Sequence, residues 1–459
     1  MRTLVAEIIQ KEGQVVELMG WVAVRRDHGK IIFIDLRDRS GIIQVVFAGK
    51  EMYVAADKLR PEWVVKITGT VNKRPENMVN PNIPTGKVEV LAAKLEIISE
   101  AKTPPIAVDG DGYEIGEESR MQYRYIDLRR ERLQKNLRLR HKVRRLTQEY
   151  LDKNGFIEVE TPTLTKTSPE GARDFVVPSR LQPGKFYALP QAPQQYKQLL
   201  MIAGLERYYQ LAHAFRDEDL RGDRQFEHTQ IDLEMSFATE QDVREMVEGM
   251  MIYIAESCGK KAQKKPFPVF THEEAVKKFG LDKFDLREDK NDPNTLAFAW
   301  VVDFPLFELD EQTKKYTFAH NPFSAPKSEH VEKLMAGKDL GSLRAQQYDL
   351  VCNGYELASG GVRISDPKVQ RKVFEIMGLT AQQTEERFGH LINAYEYGAP
   401  PHAGIAPGLD RLVMLLANEK NIREVIAFPV SANGQTAVMN APSELTKEQL
   451  KELHIKTDK

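Results

Sequence analysis

The chain has 459 residues, enough for two or three domains, and its 41% hydrophobic and 29% charged content excludes a disordered or low-complexity chain. A formal net charge of −2 excludes a polycation, so any nucleic-acid partner must be held by local basic patches. Two cysteines, Cys258 and Cys352, lie far apart without CxxC spacing, which argues against a zinc ribbon or disulfide framework and suits a reducing compartment.

The opening "MRTLVAEIIQKEG" lacks the long apolar core and cleavage site of a signal peptide, and no run approaches membrane-spanning length. A cytoplasmic location with no membrane partner is expected. Residues 14 to about 100 are strand-rich: "VVELMGWVAVRRD", "KIIFIDLRD", "GIIQVVF", "EWVVKITGTVNKR" and "GKVEVLAAKLEII" are short β-branched runs between turn residues. Five strands in that length fit an OB-fold barrel, assigned to residues 1–102. "KTPPIAVDGDGYEIGEE" reads as a linker, giving a hinge at 103–122. A helix follows in "RERLQKNLRLRHKVRRLTQEYLDKNG", with Leu139, Val143, Leu146 and Tyr150 at helical spacing and Asn154-Gly155 as its stop. Its arginines could meet RNA or form a solvated face. Next come a strand, "FIEVETPTL", a charged hairpin, a helix near 240–257 and a short variable region at 258–296. Strands resume at "AFAWVVDFPLFEL", "YDLVCNGYELASGGVRI" and "HAGIAPG", before the helix "LDRLVMLLA". Without regular βαβ alternation, residues 123–459 are expected to form an α+β domain with a mainly antiparallel sheet flanked by helices. No Walker A or strand-linked GxGxxG is present, and "THEEAVKK" lacks the second His of HExxH.

The hairpin "FRDEDLRGDRQFEHTQIDLEMSF" (215–237) puts Ile231, Leu233, Met235 and Phe237 on one face and Gln230, Asp232 and Glu234 on the other. If it pairs with "YYQLAHAFR", Arg216 joins the polar face. That surface would be a floor for a polar anion such as a nucleotide, or plain sheet surface. In "YDLVCNGYELASGGVRI", Asn353-Gly354 is a two-residue hairpin turn that pairs Val351 with Glu356. Asp349 and Glu356 then share a face. They could hold a cation, with Mg²⁺ the natural choice, or remain two acids on an exposed face. Arg363 falls on the opposite face by strict alternation; a bulge at Gly360-Gly361 would turn its donors toward a carboxylate ligand. "GIAPGLDRL" sets Gly404 and Gly408 around a strand-to-helix turn, with Arg411 at the helix start. That suits phosphate, although a pair with Asp410 or another acid would explain Arg411 equally.

Together these segments resemble a class II aminoacyl-tRNA synthetase. "GFIEVETPTL" is similar to motif 1, which implies a homodimer with Pro162 at its interface; the charged hairpin resembles motif 2 and "GIAPGLDRL" motif 3. "TSPEGARDFVVP", "LPQAPQQYKQLLM", "FRDEDLR" and "NGYELASGGVRI" look like the bacterial-type aspartyl branch, and the resemblance covers nearly the whole chain. It implies activation of L-aspartate with ATP to aspartyl-adenylate, then transfer to the 3′ end of tRNA(Asp). Both steps need aligned reactants and stabilised oxyanion charge more than a dedicated acid or base.

Carried over residue by residue, the resemblance implies that Arg216 holds the α-phosphate and Arg411 the γ-phosphate of ATP, with Glu218 near the adenosine and the tRNA end; these three form the catalytic set. Gln225, His228 and Glu356 complete the ATP site, and Asp349 and Glu356 bind Mg²⁺. Glu170 and Gln194 hold the α-ammonium, and Lys197 and Arg363 grip the side-chain carboxylate. Asp232 orients them, and His320 completes the aspartate site. Phe33 stacks on an anticodon base, Arg26 and Gln44 contact base edges or backbone, and Asn80 assists. From residues alone Phe33 would be a core aromatic. Arg221 and Asp223 are candidates for the tRNA acceptor end.

Four departures from the family pattern stand out. Only 258–296 occupy the place of a whole bacterial insertion domain. His228 replaces an adenine-stacking Phe, and His320-Asn321 replaces a pair of histidines. His28 stands in "RRDHG" where enzymes restricted to one tRNA often have Leu, which implies a relaxed enzyme that also charges tRNA(Asn). The alternatives are a tRNA(Asp)-only enzyme, an asparaginyl- or lysyl-tRNA synthetase, a non-catalytic tRNA-binding paralogue, or a synthetase-derived asparagine synthetase. Lys197 with Arg363 argues against the second, the retained Arg216, Glu356 and Arg411 against the third, and the barrel against the last.

Overall fold

The computed structural model describes residues 1–167, 171–311 and 314–457. Its first five strands are β1 (Val15–Asp27), β2 (Ile31–Asp38), β3 (Gly41–Ala48), β4 (Val64–Lys73) and β5 (Val88–Ser99), with helix α1 (Lys50–Asp57) between β3 and β4. They close in the order β1-β2-β3-β5-β4, with β4 returning to β1. This is the expected five-stranded OB-type barrel. Alternation decides which side chains fill it. Ile32, Ile34 and Leu36 point inward from β2 to meet Leu18, Val45, Ile67 and Val90. Phe33 therefore falls on the outer face and is only half-buried, which overturns the core reading of that aromatic.

The chain divides into two compact units, Met1–Arg130 and Glu131–Lys459. Short helices Glu117–Gln122 and Arg124–Asp127 belong to the first unit, where Asp127 is buried among Arg120, Arg124 and Arg130.

The second unit is built on β6 (Ile157–Glu158), β7 (Arg207–Phe215), β8 (Glu227–Ser236), β9 (Val269–Thr271), β10 (Phe298–Val302), β11 (Gln347–Cys352), β12 (Tyr355–Val362) and β13 (His402–Pro407). They form one sheet in the order β9-β10-β11-β12-β13-β8-β7-β6, antiparallel through its middle, with the edge strands β9 and β6 parallel to their neighbours. Helices α2 (Glu131–Lys153), α4 (Glu240–Ser257) and α5 (Leu409–Ala417) contribute Val143, Leu151, Val247, Met251, Ile254, Leu412 and Val413 to a core. That core packs with Ile231, Leu233 and Met235 of β8 and with Trp300, Tyr348 and Leu350. Helix α3 (Gln194–Ile202) packs beside β7 and β8. A capping box between Thr239 and Asp242 starts α4.

Several local expectations change. Only Ile157–Glu158 of "FIEVETPTL" pairs; this is the sheet edge, and Pro162 has no donor to extend a ladder. "AFAWVVDFPLFEL" breaks into β10 and Phe307–Leu309 because Asp303 turns to φ 62° ahead of Pro305. Phe237 leaves β8 at φ 57° and is exposed rather than joining Ile231, Leu233 and Met235. Asn353 and Gly354 do form the hairpin turn, at φ 50° and 90°, and Val351 does pair with Glu356. The bulge lies at Leu357, however, not at the two glycines, because Leu350 already pairs with Ala358 and Asp349 with Ser359. One extra residue returns Ser359 and Arg363 to the face of Glu356.

The arginines of α2 divide between a solvated face and internal ion pairs that neither expectation included. Arg132 reaches Glu419 and Glu424, and Arg140 binds Asp410, whose second oxygen accepts the Thr229 backbone N–H at 2.9 Å. Arg138, Arg144 and Arg145 are exposed. The pair offered for Arg411 with Asp410 is therefore not made.

Gly404 lies within β13, opposite Glu234, rather than in the turn before the helix. A Cβ there would sit 1.9 Å from Glu234 Oε2 and 2.3 Å from the Leu233 carbonyl oxygen. Gly404→Ala is expected to destabilise the second unit by ~1–3 kcal/mol, the cost of overpacking a filled site, as read by chemical denaturation.

Candidate active site

The polar face of β8 is buried rather than solvated. Lys197 projects from α3, and its Nζ lies 2.9 Å from Asp232 Oδ2 and 3.2 Å from Glu234 Oε2. Arg363, just beyond β12, donates from Nε to Glu234 Oε1 at 2.9 Å and from Nη2 to Oε2 at 3.2 Å. None of these four residues is more than 4% exposed, so each charge must be met by the others. Burial pushes the Glu234 carboxyl up, but Arg363 and Lys197 outweigh it and hold the group below its ordinary range. At Asp232 burial prevails over Lys197, and the carboxyl is raised. Behind this cluster Gln194 Nε2 donates to Gln198 Oε1 at 3.2 Å, and Gln198 Nε2 reaches the Tyr395 hydroxyl at 3.1 Å.

The neighbouring region is dominated by arginines. Arg216, at the end of β7, donates through Nε to the Gln191 carbonyl oxygen at 3.3 Å. Arg224 pairs with Glu218 at 3.2 Å. Arg411 donates from Nη1 to the Glu356 carbonyl oxygen at 2.6 Å and meets Asp223 Oδ2 at 3.2 Å through Nη2. His228 lies among them, and burial, then Arg216 and Arg411, push its imidazole down to about 3. It is neutral at any ordinary working pH. Gln225 is fixed by accepting the Val430 N–H at 2.8 Å.

Asp349 and Glu356 do share a face. Burial and the Glu356 charge raise the Asp349 carboxyl well above the ordinary range, while Ser359 and Gln347 hydrogen-bond to it. Glu356 is paired with Lys283 at 2.6 Å. Among the described residues no group of three or more His, Cys, Asp or Glu gathers as a metal cage. Two repelling carboxylates without a third fit a cation that takes its other oxygens from water and substrate.

These groups line one cavity of about 290 Å³. It joins Arg216, Glu218, Gln225, His228, Glu356 and Arg411 to Gln194, Lys197, Asp232, His320 and Arg363. Asp223 lines it too, while Asp349 lies beneath it, buried. Arg221 is exposed outside it, and Glu170 lies outside the described residues. Sequence reasoning placed Glu234 only on the polar face of the hairpin, with no role of its own, and gave no role to Lys283. The alternation that placed Glu234 beside Asp232 was the available signal for the first; nothing local marked the second.

On the barrel, Arg26 makes a double hydrogen bond to Asp35 at 2.7 and 2.8 Å and approaches Gln44, which donates to Glu89 at 2.9 Å. Phe33 lies across from Arg26 in the β1–β2 ladder, and His28 meets it edge-on at 5.4 Å. Asn80 instead braces its own loop, its side chain accepting the Asn82 N–H at 3.0 Å.

Residues 116–432 match the family described as tRNA synthetases class II (D, K and N), and residues 16–98 match an OB-fold nucleic acid binding domain. This chain belongs to the class II tRNA synthetases. The synthetase is 40% identical to the aspartate–tRNA(Asp/Asn) ligase of Heliobacterium modesticaldum, across 98% of this chain and 95% of that protein. It is also 40% identical to the aspartate–tRNA ligase of Macrococcus caseolyticus, across 96% of each protein. The Heliobacterium alignment runs to 576 positions; subtracting the 459 residues of the synthetase leaves at least 117 that face a gap. The asparaginyl-tRNA synthetase of Pyrococcus horikoshii, solved with asparaginyl-adenylate, shares the fold at a TM-score of 0.74 and 23% identity, over 94% of this chain and 98% of that one.

His228 makes the synthetase acid-sensitive. An unfolded histidine protonates below about 6.5, whereas the folded one does so only near 3. Stability is therefore lost as pH falls through 6.5 toward 3. His228→Phe removes this loss, so its thermal midpoint relative to the parent chain is expected to rise between pH 8 and pH 5.

Proposed function

We infer that the chain is an aspartate–tRNA ligase that condenses L-aspartate with ATP and transfers the aspartyl group to tRNA(Asp). The observation that carries the choice of amino acid is the buried pair Lys197 and Arg363, held around Glu234. Glu234 engages Nε and Nη2 of Arg363, which leaves the Nη1 side of the fork for a ligand carboxylate. A neutral amide would leave both cations poorly matched, and that mismatch is the source of selectivity.

In the first step an oxygen of the aspartate α-carboxylate attacks the α-phosphorus, and pyrophosphate leaves. Arg216 stabilises charge on the α-phosphate, and Arg411 draws the leaving phosphates away along the line of attack. Neutral His228 offers a flat ring to adenine without adding a fourth positive charge, and Gln225 supports it. Gln194, braced by Gln198, and Glu170 take the α-ammonium, while His320 flanks the amino acid. In the second step a hydroxyl of the terminal ribose attacks the aspartyl carbonyl, and AMP leaves, with Glu218, Arg221 and Asp223 near the acceptor end. Asp349 and Glu356 would hold Mg²⁺, which supplies charge neutralisation on the phosphates.

Phe33, with Arg26, His28 and Gln44, is the anticodon surface of the barrel, and Asn80 shapes the adjacent loop. His28 supports use of tRNA(Asn) as well. Pro162 and the exposed Ile157 and Leu164 of the motif 1 segment support a homodimer. No described helix is long and apolar enough to cross a membrane, and we read the enzyme as cytoplasmic.

ATP–pyrophosphate exchange is expected with aspartate and not with asparagine or lysine; exchange driven by asparagine would refute the assignment. Arg363→Gln should lower kcat/KM for aspartate by at least ~100-fold, the cost of removing a charged partner from a buried site. Charging assays should aspartylate both tRNA(Asp) and tRNA(Asn). If only tRNA(Asp) is charged, the enzyme is the discriminating type.

A further inference from the structure

The connection between α4 and β10 brings a charge into the cavity. Phe284 is its anchor, buried against Ala299, Val301, Phe304 and Val351. Phe279 stacks on Phe284 with ring centroids 4.1 Å apart, and the Phe284 carbonyl accepts the Gly354 N–H at 3.1 Å. Asp285 and Arg287 clamp the next turn at 2.8 Å. Lys283 directly precedes this anchor, lines the cavity and places Nζ 2.6 Å from Glu356 Oε2.

The position of Lys283 is informative because Glu356 already has two other claims on it. Its backbone carbonyl holds Arg411, and its carboxylate forms the repelling pair with Asp349. A divalent cation and the Lys283 ammonium compete for the same carboxylate. The lysine stem is 44% exposed, so its head can move once displaced. Asp282, His320 and Arg411 are the other charged or titratable groups that act on it or on Glu356. A phosphate chain ending at Arg411 would then be the nearest strong anion besides Asp282.

We propose that Lys283 is a substrate-contacting residue that binds the β- and γ-phosphates of the nucleotide and the pyrophosphate they become, with Glu356 as its resting partner. This rests on reading the cavity as an ATP site. Otherwise the pair would be a half-exposed ion pair of small consequence.

The test compares Lys283→Gln and Lys283→Met with Lys283→Arg and the surface control Lys277→Gln. Aspartate-dependent exchange gives KM for ATP and for aspartate. Calorimetry with inorganic pyrophosphate and Mg²⁺, without amino acid, gives affinity apart from turnover. Both neutral variants should raise KM for ATP and weaken pyrophosphate binding ~10-fold or more, as loss of a charge-assisted hydrogen bond requires. KM for aspartate should stay within about twofold of the parent value, close to the noise of an unperturbed site. Lys283→Arg should recover most of the loss, and Lys277→Gln should show none. Unchanged ATP and pyrophosphate values in a folded neutral variant would overturn the proposal, as would an equal rise in KM for aspartate. An unmutated chain that supports no aspartate-dependent exchange would refute the ATP-site reading instead.

Discussion

The buried network of Lys197, Asp232, Glu234 and Arg363 is the constraint around which the second unit is arranged. Taking four charges out of water costs several kcal/mol each, and their mutual attraction offsets this only with close geometry. The sheet supplies that geometry. β8 carries both acids on one face, two residues apart, while its other face sends Leu233 and Met235 into the apolar core. Gly404 opposite Glu234 leaves room for the carboxylate. The bulge at Leu357 swings Arg363 to the required side. Hydrophobic burial against α2, α4 and α5 supplies the stability that the polar face does not.

This arrangement separates recognition from stability. Two cations fixed by rigid neighbours need little reorganisation to receive a carboxylate. Had Glu234 been absent, Lys197 and Arg363 would have shared one acid whose own carboxyl is raised by burial. The cations would then have been less firmly placed.

Patterns of period two and the Asn-Gly turn made the barrel, the charged hairpin and the Asp349–Glu356 pair legible in the sequence. Most proposed cavity residues were legible only through the family motifs, since isolated Arg and Glu residues look alike on a surface or in a site. The misses have physical causes. Alternation predicts a face until an extra residue intervenes, and nothing in "YELASGGVRI" distinguishes a bulge at Leu357 from one at the glycines. Phe237 ends its strand through a positive φ that its side chain does not advertise. Lys283 reaches Glu356 across more than seventy residues of chain (283 to 356), and the contact is fixed by the burial of Phe284 and the bonds around it, which no local pattern shows.

Charge also divides the cavity in a way that orders the chemistry. Around Lys197 and Arg363, positive and negative groups balance one to one and are held by buried bonds. Around Arg216, Arg224 and Arg411, the acids Glu218 and Asp223 are only partly buried and sit on or beside the motif 2 loop. Ion pairs of that kind are weak and exchange readily for a phosphate. On the proposed assignment the amino-acid end is thus set before substrate arrives, whereas the nucleotide end is a set of cations paired with local acids. His228, kept neutral by burial and then by Arg216 and Arg411, marks the border between the two regimes. Because these groups stand on the central sheet, its connecting turns, α3 or α5, a chain more than a hundred residues shorter than one of its relatives still keeps them contiguous around one cavity.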